Sequence, residues 1–460
     1  MATILKDPLT ELNSKFRGEI ITPDDKTYDE TRSLYNAMID KKPSMIAMCS
    51  NVADVIHAVN FGREEGLLTA IRSGGHNGPG LGSCDDGLVI NLSPMNGIRV
   101  DPDARTASVQ AGCTWGDVDH ATHAFGLATP SGVVSTTGVG GLTLGGGHGY
   151  LSRKYGLTID NLLEADLVLA DGSFVTANEN QNEDLFWAIR SGGGNFGVVT
   201  SFTFRLHPVS TIIGGPTLWK LEDSEKILKW YRDFSREAPE DLYGFFAFLT
   251  IPPAPMFPGE LHMKKVCGAV WSNTGPAEKA HNAYKPVKEI AEPLLYGIQE
   301  MPYPFLQSVH DELYPPGLQW YWKGDFVKEI SDEAVEKHVK YGKELPTMHS
   351  TMHLYPIDGA PHKVGQNDTA FSYREANWSQ VIVGVDPDPA NNGKMTDWAK
   401  SYWEAIHPHT LGGAYINFMM EEGPDRIKAT YRDNYERLVK IKTKYDPDNF
   451  FRVNQNIKSE

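Results

Sequence analysis

Residues 71–80 read Ile71-Arg72-Ser73-Gly74-Gly75-His76-Asn77-Gly78-Pro79-Gly80. Four glycines in ten positions uncover backbone N–H groups and admit positive φ, which is what a concave nest for phosphate oxygens requires. One imidazole, His76, sits inside that nest. An ordinary glycine-rich turn is the alternative that this stretch alone leaves open. A second glycine-dense stretch, 129–149, passes through Gly138-Val139-Gly140-Gly141 and Gly145-Gly146-Gly147. Such low side-chain volume means that something flat or extended lies against its backbone. A third, Gly192-Gly193-Gly194-Asn195-Phe196-Gly197, contains a formal GxGxxG, but the β-branched Val198–Leu206 that follows predicts a strand where a dinucleotide fingerprint needs a helix. Met348–Tyr355 alternates with period two, placing His349, Thr351, His353 and Tyr355 on one face. That face is either a pocket wall or a solvated surface. A metal site is disfavoured, because HxxxH is usually read on a helix and no third ligand is evident.

The elements that must hold these groups follow from pattern. Short strands are expected at Ser44–Met48, 66–71 and Leu88–Leu92, with a helix over Asn51–Glu65. Hairpins are expected at 98–110 and 163–176, and Thr114 with Asp117 predicts a capped helix over 115–125. Beyond Pro208 glycine thins out, and helices at Ser224–Arg236, Glu278–Glu292, Ser331–Glu344, Thr396–Ile406 and Lys428–Lys442 alternate with strands at Tyr243–Thr250, Val266–Trp271, Gln380–Val385 and Ala414–Met419. With 460 residues, two domains are expected. A net charge of −16 argues against nucleic acid and anionic membranes. The start of the chain shows no apolar leader, and no uncharged apolar run is long enough to span a bilayer. Cys49, Cys84, Cys113 and Cys267 have neither metal nor disulfide spacing, which makes a cytoplasmic protein with reduced thiols the simplest account.

Arg72-Ser73-Gly74-Gly75-His76-Asn77, the 138–147 glycines, Arg153-Lys154-Tyr155-Gly156-Leu157 and Asp446-Pro447 with Asn454-Gln455-Asn456 occur together in this order. The set resembles the vanillyl-alcohol-oxidase superfamily of FAD proteins and, within it, the berberine-bridge-enzyme-like oxidoreductases. The likeness covers roughly 40–208 and 366–458. It implies an α+β chain with a two-lobed PCMH-type FAD-binding domain (1–208) and a substrate domain (209–420) whose antiparallel sheet is covered by helices. Residues 421–460 would return to the FAD domain.

By the same resemblance Arg72, Ser73, Gly74, Gly75, Asn77 and Gly80 would cradle the pyrophosphate, and His76 would bond covalently to the flavin. Ser135, Thr137, Gly138, Gly140, Gly141, Gly146 and Gly149 would lie along the isoalloxazine, with Val199 and Asn454 also at the cofactor; His148 and Tyr150, next to the glycine run, either edge the flavin site or simply fill space. Many relatives carry a second tether, a cysteine, where Val134 stands here, so one bond through His76 is expected. Tyr415-Ile416-Asn417-Phe418 resembles the family's Tyr-x-Asn-aromatic strand, which makes Tyr415 the candidate base beside Asn417, with His353 on the facing pocket wall. A phenol with a pKa near ~10 needs a cation or a polarising hydrogen bond for this, and Arg374 or the histidines are possible sources. A buried structural tyrosine is the competing reading.

By the resemblance Thr137 stands where relatives tune oxygen access to the flavin, and with valine's size rather than that of leucine or isoleucine it would leave oxygen unblocked. The expected activity is therefore an FAD oxidase that takes a small-molecule substrate and O₂ and gives hydrogen peroxide, as a monomer or homodimer. A dehydrogenase with another acceptor and a flavin-binding protein without turnover are the alternatives.

Overall fold

The computed structural model describes residues 8–460; residues 1–7, part of the start inspected for a leader, lie outside them. Three short apolar strands, Met45–Met48, Leu88–Asn91 and Thr69–Arg72, pair in parallel, with Glu19–Ile21 antiparallel at the edge. Helix Val52–Glu64 covers them with Val55, Ala58 and Val59, and Asn51 caps it by accepting from Asp54 N. Burial on both faces is why such strands read as continuous apolar runs. Both expected hairpins form, and they join Val198–Arg205 in a five-stranded antiparallel sheet ordered Ile98–Asp101, Thr106–Gln110, Val198–Arg205, Leu162–Val168, Phe174–Asn178. Helix Trp115–His123 carries the full capping box between Thr114 and Asp117.

The second half is built on an eight-stranded antiparallel sheet. Its successive strands Lys265–Asn273, Leu242–Thr250, Thr351–Pro356 and Trp378–Asp386 lead to Gln319–Val327 at one edge. Alternation sorts its faces. Phe246, Phe248, Met352, Leu354 and Ile382 pack under helices Ser224–Glu237, Asp332–Lys343 and Asn392–Ile406. Phe245, Tyr355, Val381, Val383 and Trp320 face the first half of the chain. The C-terminal segment turns back to the first core, where Ile416, Tyr431, Leu438, Phe451 and Ile457 share one apolar cluster with residues 47–206. Among the described residues no helix is long and apolar enough to cross a membrane.

Several expectations need correction. Ala414–Met419 is not a strand: it has no pairing partner, and Phe418 N bonds back to Tyr415 O (2.8 Å), closing a 3-10 turn over Ile416–Phe418. The strand at 348–355 starts only at Thr351, because Ser350 N turns back to Thr347 Oγ1, so His349 lies off it. Pro286 breaks the helix expected over 278–292 into Ala277–Ala283 and Lys285–Glu289. Arg432, at φ 46°, divides 428–442, its guanidinium held over the Tyr373 ring and against Glu375. The second glycine stretch contains a helix, Val139–Gly145.

The formal GxGxxG precedes strand Val198–Arg205, as expected, and Asn195 within it anchors the tail by donating to Gln455 O and accepting from Ile457 N. Beside it Lys442 and Asp446 form a pair with fully buried side chains at 2.6 Å.

Asp119, on the helix at 115–123, is 3% exposed, and burial raises its carboxyl to about 8. The folded state therefore keeps a proton that the unfolded chain releases near pH 4. Stability is full below that pH and falls as pH rises to about 8, by about 1.4 kcal/mol per pH unit at most. Asp119→Asn is expected to flatten this decline, read as the difference in melting temperature between pH 5 and pH 8.

Candidate active site

The first two glycine stretches meet backbone to backbone. A Cβ on Gly74 would lie 2.5 Å from Gly138 N, and one on Gly138 would lie 2.3 Å from Gly74 N, so neither position admits a side chain. This contact floors a cavity whose roof is the face of the eight-stranded sheet that carries Trp320, Trp322, Thr351, His353 and Tyr355. None of the backbone N–H groups from Gly74 to Gly78 donates to a backbone carbonyl, and Gly141 and Gly194 face open space on the wall. Unspent donors on a bare backbone make an anion nest. The His76 ring stands at its edge, stacked on Tyr35 (3.9 Å between centroids, 14° between planes). Burial holds its imidazole neutral, down at about 4.

Tyr415 and Asn417 converge through the 3-10 turn rather than through strand alternation. Asn417 Nδ2 donates to the Tyr415 hydroxyl at 2.8 Å, and Gly147 N donates at 3.0 Å. Burial pushes the phenol up to about 12, against the pull of these two bonds. Glycine at 145 makes room for this amide: a Cβ there would lie 2.3 Å from Asn417 Nδ2 and push it out of place. Arg374 is not the cation of this site; it forms a buried bidentate pair with Asp160 (2.8 and 2.9 Å).

On the roof, both nitrogens of His353 are taken by strand neighbours, Nε2 by Thr351 Oγ1 (2.9 Å) and Nδ1 by the Tyr355 hydroxyl (2.5 Å). Burial pulls His148 and His353 down to about 3 and His310 to about 4, so all three imidazoles are neutral.

Of the residues expected at the cofactor, Ser73, Gly74, Gly75, His76, Asn77, Thr137, Gly138, Gly140, Gly141, Val199, Tyr415, Asn417 and Asn454 line the cavity. Arg72 also lines it, with its guanidinium turned away to the carbonyls of Thr31 (2.6 Å) and Ser33 (2.5 Å). Five others stand behind the wall: Gly80 against Ile39, Ser135 bonded to Asp311, Gly146 and Gly149 under Phe371 and the Ser131 carbonyl, and Tyr150 bonded to His310 (3.3 Å). Sequence reasoning missed Tyr35, Gly193, Gly194, Gly197, His310, Tyr314, Trp320 and Trp322. The glycines carry a visible signal, their own density, which the failure of the dinucleotide fingerprint masks. The aromatic residues had none.

The unspent N–H groups and the open glycine wall fit a dinucleotide such as FAD. Residues 43–178 match the model of an FAD binding domain, and residues 414–458 that of berberine and berberine-like proteins. An FAD-linked oxidoreductase of Dictyostelium discoideum is 33% identical over 92% of this chain and 90% of its own length. The (R)-6-hydroxynicotine oxidase of Paenarthrobacter nicotinovorans is 28% identical, with 100% of both chains covered. The structure of BBE-like 1 from Physcomitrella patens superposes with a TM-score of 0.87 at 25% identity, over 98% of this chain and 100% of that one. With this cradle, these two matched segments and these relatives, the chain belongs to the berberine-bridge-enzyme-like family of FAD-linked oxidoreductases.

Proposed function

We propose that the protein is an oxidase that holds FAD through one covalent bond to His76 and oxidises a hydroxyl or activated C–H of a small organic molecule, with O₂ as acceptor. The observation that carries this reading is the neutral, ring-stacked His76 at the edge of the glycine cradle, a nucleophile held in one orientation. Val134 offers only methyl groups to the cavity, and the Cys113 thiol, off the wall and raised to about 12 by burial, is a poor second anchor. In this reading 1–208 with 421–460 bind the cofactor, and 209–420 cover the substrate. The name of the hydroxynicotine oxidase supports oxygen as acceptor, and Thr137 on the wall leaves oxygen space to approach. Four free, buried thiols suit a reducing, cytoplasmic setting.

When bound, the flavin supplies the redox chemistry, taking a hydride equivalent from substrate and passing electrons on. The chain orients the substrate, keeps water out and moves the proton. Tyr415 receives the proton of the substrate hydroxyl, and the N–H donors of Asn417 and Gly147 stabilise the negative charge on its oxygen beforehand. The resting phenol must first lose its own proton, which burial opposes.

The test is the mass and absorbance of acid-denatured protein beside His76→Ala. The parent protein should precipitate yellow with the mass of one FAD added, and the variant should lose both. A parent of bare polypeptide mass would exclude the tether. Reduced enzyme that stays bleached in air would exclude oxygen and favour a dehydrogenase.

A further inference from the structure

The roof of the cavity is made of rings. Tyr314, Trp320, Trp322, Tyr355 and Phe418 line it, and among the described residues no Asp, Glu or Lys does. Its one guanidinium, that of Arg72, is spent on backbone carbonyls. A charged substrate would shed water here with no opposite charge to meet it. A glycan, with a hydroxyl on nearly every carbon, would lose more hydrogen bonds than this wall returns. Thr351, His353 and Tyr355 already bond one another, and His310 is held by Tyr150.

Among the described residues, four side chains on the wall keep buried polar atoms without a partner: Trp320 and Trp322 through the indole N–H, Asn454 through Oδ1, and His148, which alone has two. His148 is 5% exposed, yet neither ring nitrogen has a partner. Its ring centroid lies 4.5 Å from that of Tyr415, 5.3 Å from Tyr355 and 5.5 Å from Phe418. A buried imidazole with both nitrogens idle is costly, and a ligand that bonds to it relieves that cost. Being neutral, it offers one donor and one acceptor.

We propose that the substrate is an uncharged aromatic alcohol, its ring packed among Trp320, Trp322 and Phe418 and its polar substituent bonded to His148, which sets specificity. This assignment rests on the oxidase reading of the same site. The net reaction balances: a primary alcohol loses one carbon-bound hydrogen with its electron pair and one hydroxyl proton to become an aldehyde, and O₂ gains both to become H₂O₂.

The experiment mixes flavin-loaded enzyme anaerobically with 4-methoxybenzyl alcohol, with 4-(hydroxymethyl)benzoate, which differs by a charge, and with cellobiose, following flavin absorbance. The neutral aromatic alcohol should bleach the flavin at least about tenfold more efficiently than either of the others. In His148→Phe, which keeps the ring and removes both nitrogens, KM for that alcohol should rise about tenfold with a smaller change in kcat. His148→Gln, which restores a donor and an acceptor, should recover part of the loss. The flavin spectrum without substrate should stay that of the parent. Preferential bleaching by cellobiose or the carboxylate, no bleaching by the neutral alcohol, or an unchanged KM in His148→Phe would each overturn the assignment. A wrong acceptor shows separately, as bleached enzyme that fails to recover in air.

Discussion

Tyr415→Phe is expected to lower kcat by about 10²- to 10⁴-fold, the usual worth of a positioned proton acceptor, while KM and flavin content change little. The substitution removes one oxygen and keeps the ring, which packs against His148 and Phe418 at 4.5 and 4.9 Å. It also strands the two donors now spent on that oxygen, Asn417 Nδ2 and Gly147 N. Asn417→Ala, leaving the donor from Gly147, should cost less. The sign of the pH dependence follows from burial, which holds the phenol at about 12. The form able to accept a proton grows with pH, so kcat of the parent should climb towards alkaline pH, and that slope should vanish in Tyr415→Phe. Rapid-mixing measurement of flavin reduction over pH 6 to 10 checks both. An unchanged kcat would make Tyr415 a structural residue.

Lys442→Met should destabilise the protein by about 3–5 kcal/mol, the typical result of removing one partner of a buried ion pair. The Lys442 ammonium donates to Asp446 Oδ2 (2.6 Å), Asn195 O (2.7 Å) and Phe451 O (2.9 Å), and neither side chain of the pair is exposed. Methionine fills the volume and leaves the Asp446 carboxylate buried with only the N–H groups of Phe450 and Phe451. Asn195 O loses its donor, while Phe451 O keeps Asn454 Nδ2 (2.9 Å); the link between the tail and the third glycine stretch is cut, so retained flavin should fall together with the melting temperature. Replacing both partners, Lys442→Met with Asp446→Leu, should recover part of the loss; a double variant no better than the single one would assign the cost to the Asn195 carbonyl instead.

Much of this fold was legible because its signals are local. Continuous apolar runs gave the buried parallel strands, and Thr114 with Asp117 gave a helix start that the structure reproduces. The glycine stretches and His76 stood out because only a backbone that must be approached closely is built that way. Strands Thr211–Lys220 and Gln319–Val327 were missed, since Gly214-Gly215-Pro216 in one and Lys323-Gly324-Asp325 in the other read as breakers. Their positions in a wide sheet override that local preference. Tyr415 and Asn417 were paired for the wrong geometric reason, because a single turn with i→i+3 bonding and a strand both bring alternate residues near one point. His310 and Tyr314 follow a short helix with no distinguishing pattern, and only the fold carries them to the cavity. The bonds that leave His148 alone among its neighbours depend on distances that no spacing along a chain encodes.

The cavity draws its wall from residues 71–77, 132–148, 193–199, 310–322, 351–383, 415–418 and 453–455. No contiguous fragment of the chain therefore contains a binding site. High contact order makes such an enclosure a late product of folding, and the cofactor meets an almost finished protein or nothing. Before any bond to His76 forms, the affinity of FAD is then spent wholly on the native state, which it stabilises by mass action in proportion to ln(1 + [FAD]/Kd). Cellular supply of the cofactor becomes a determinant of how much folded enzyme persists, as well as of how much is active.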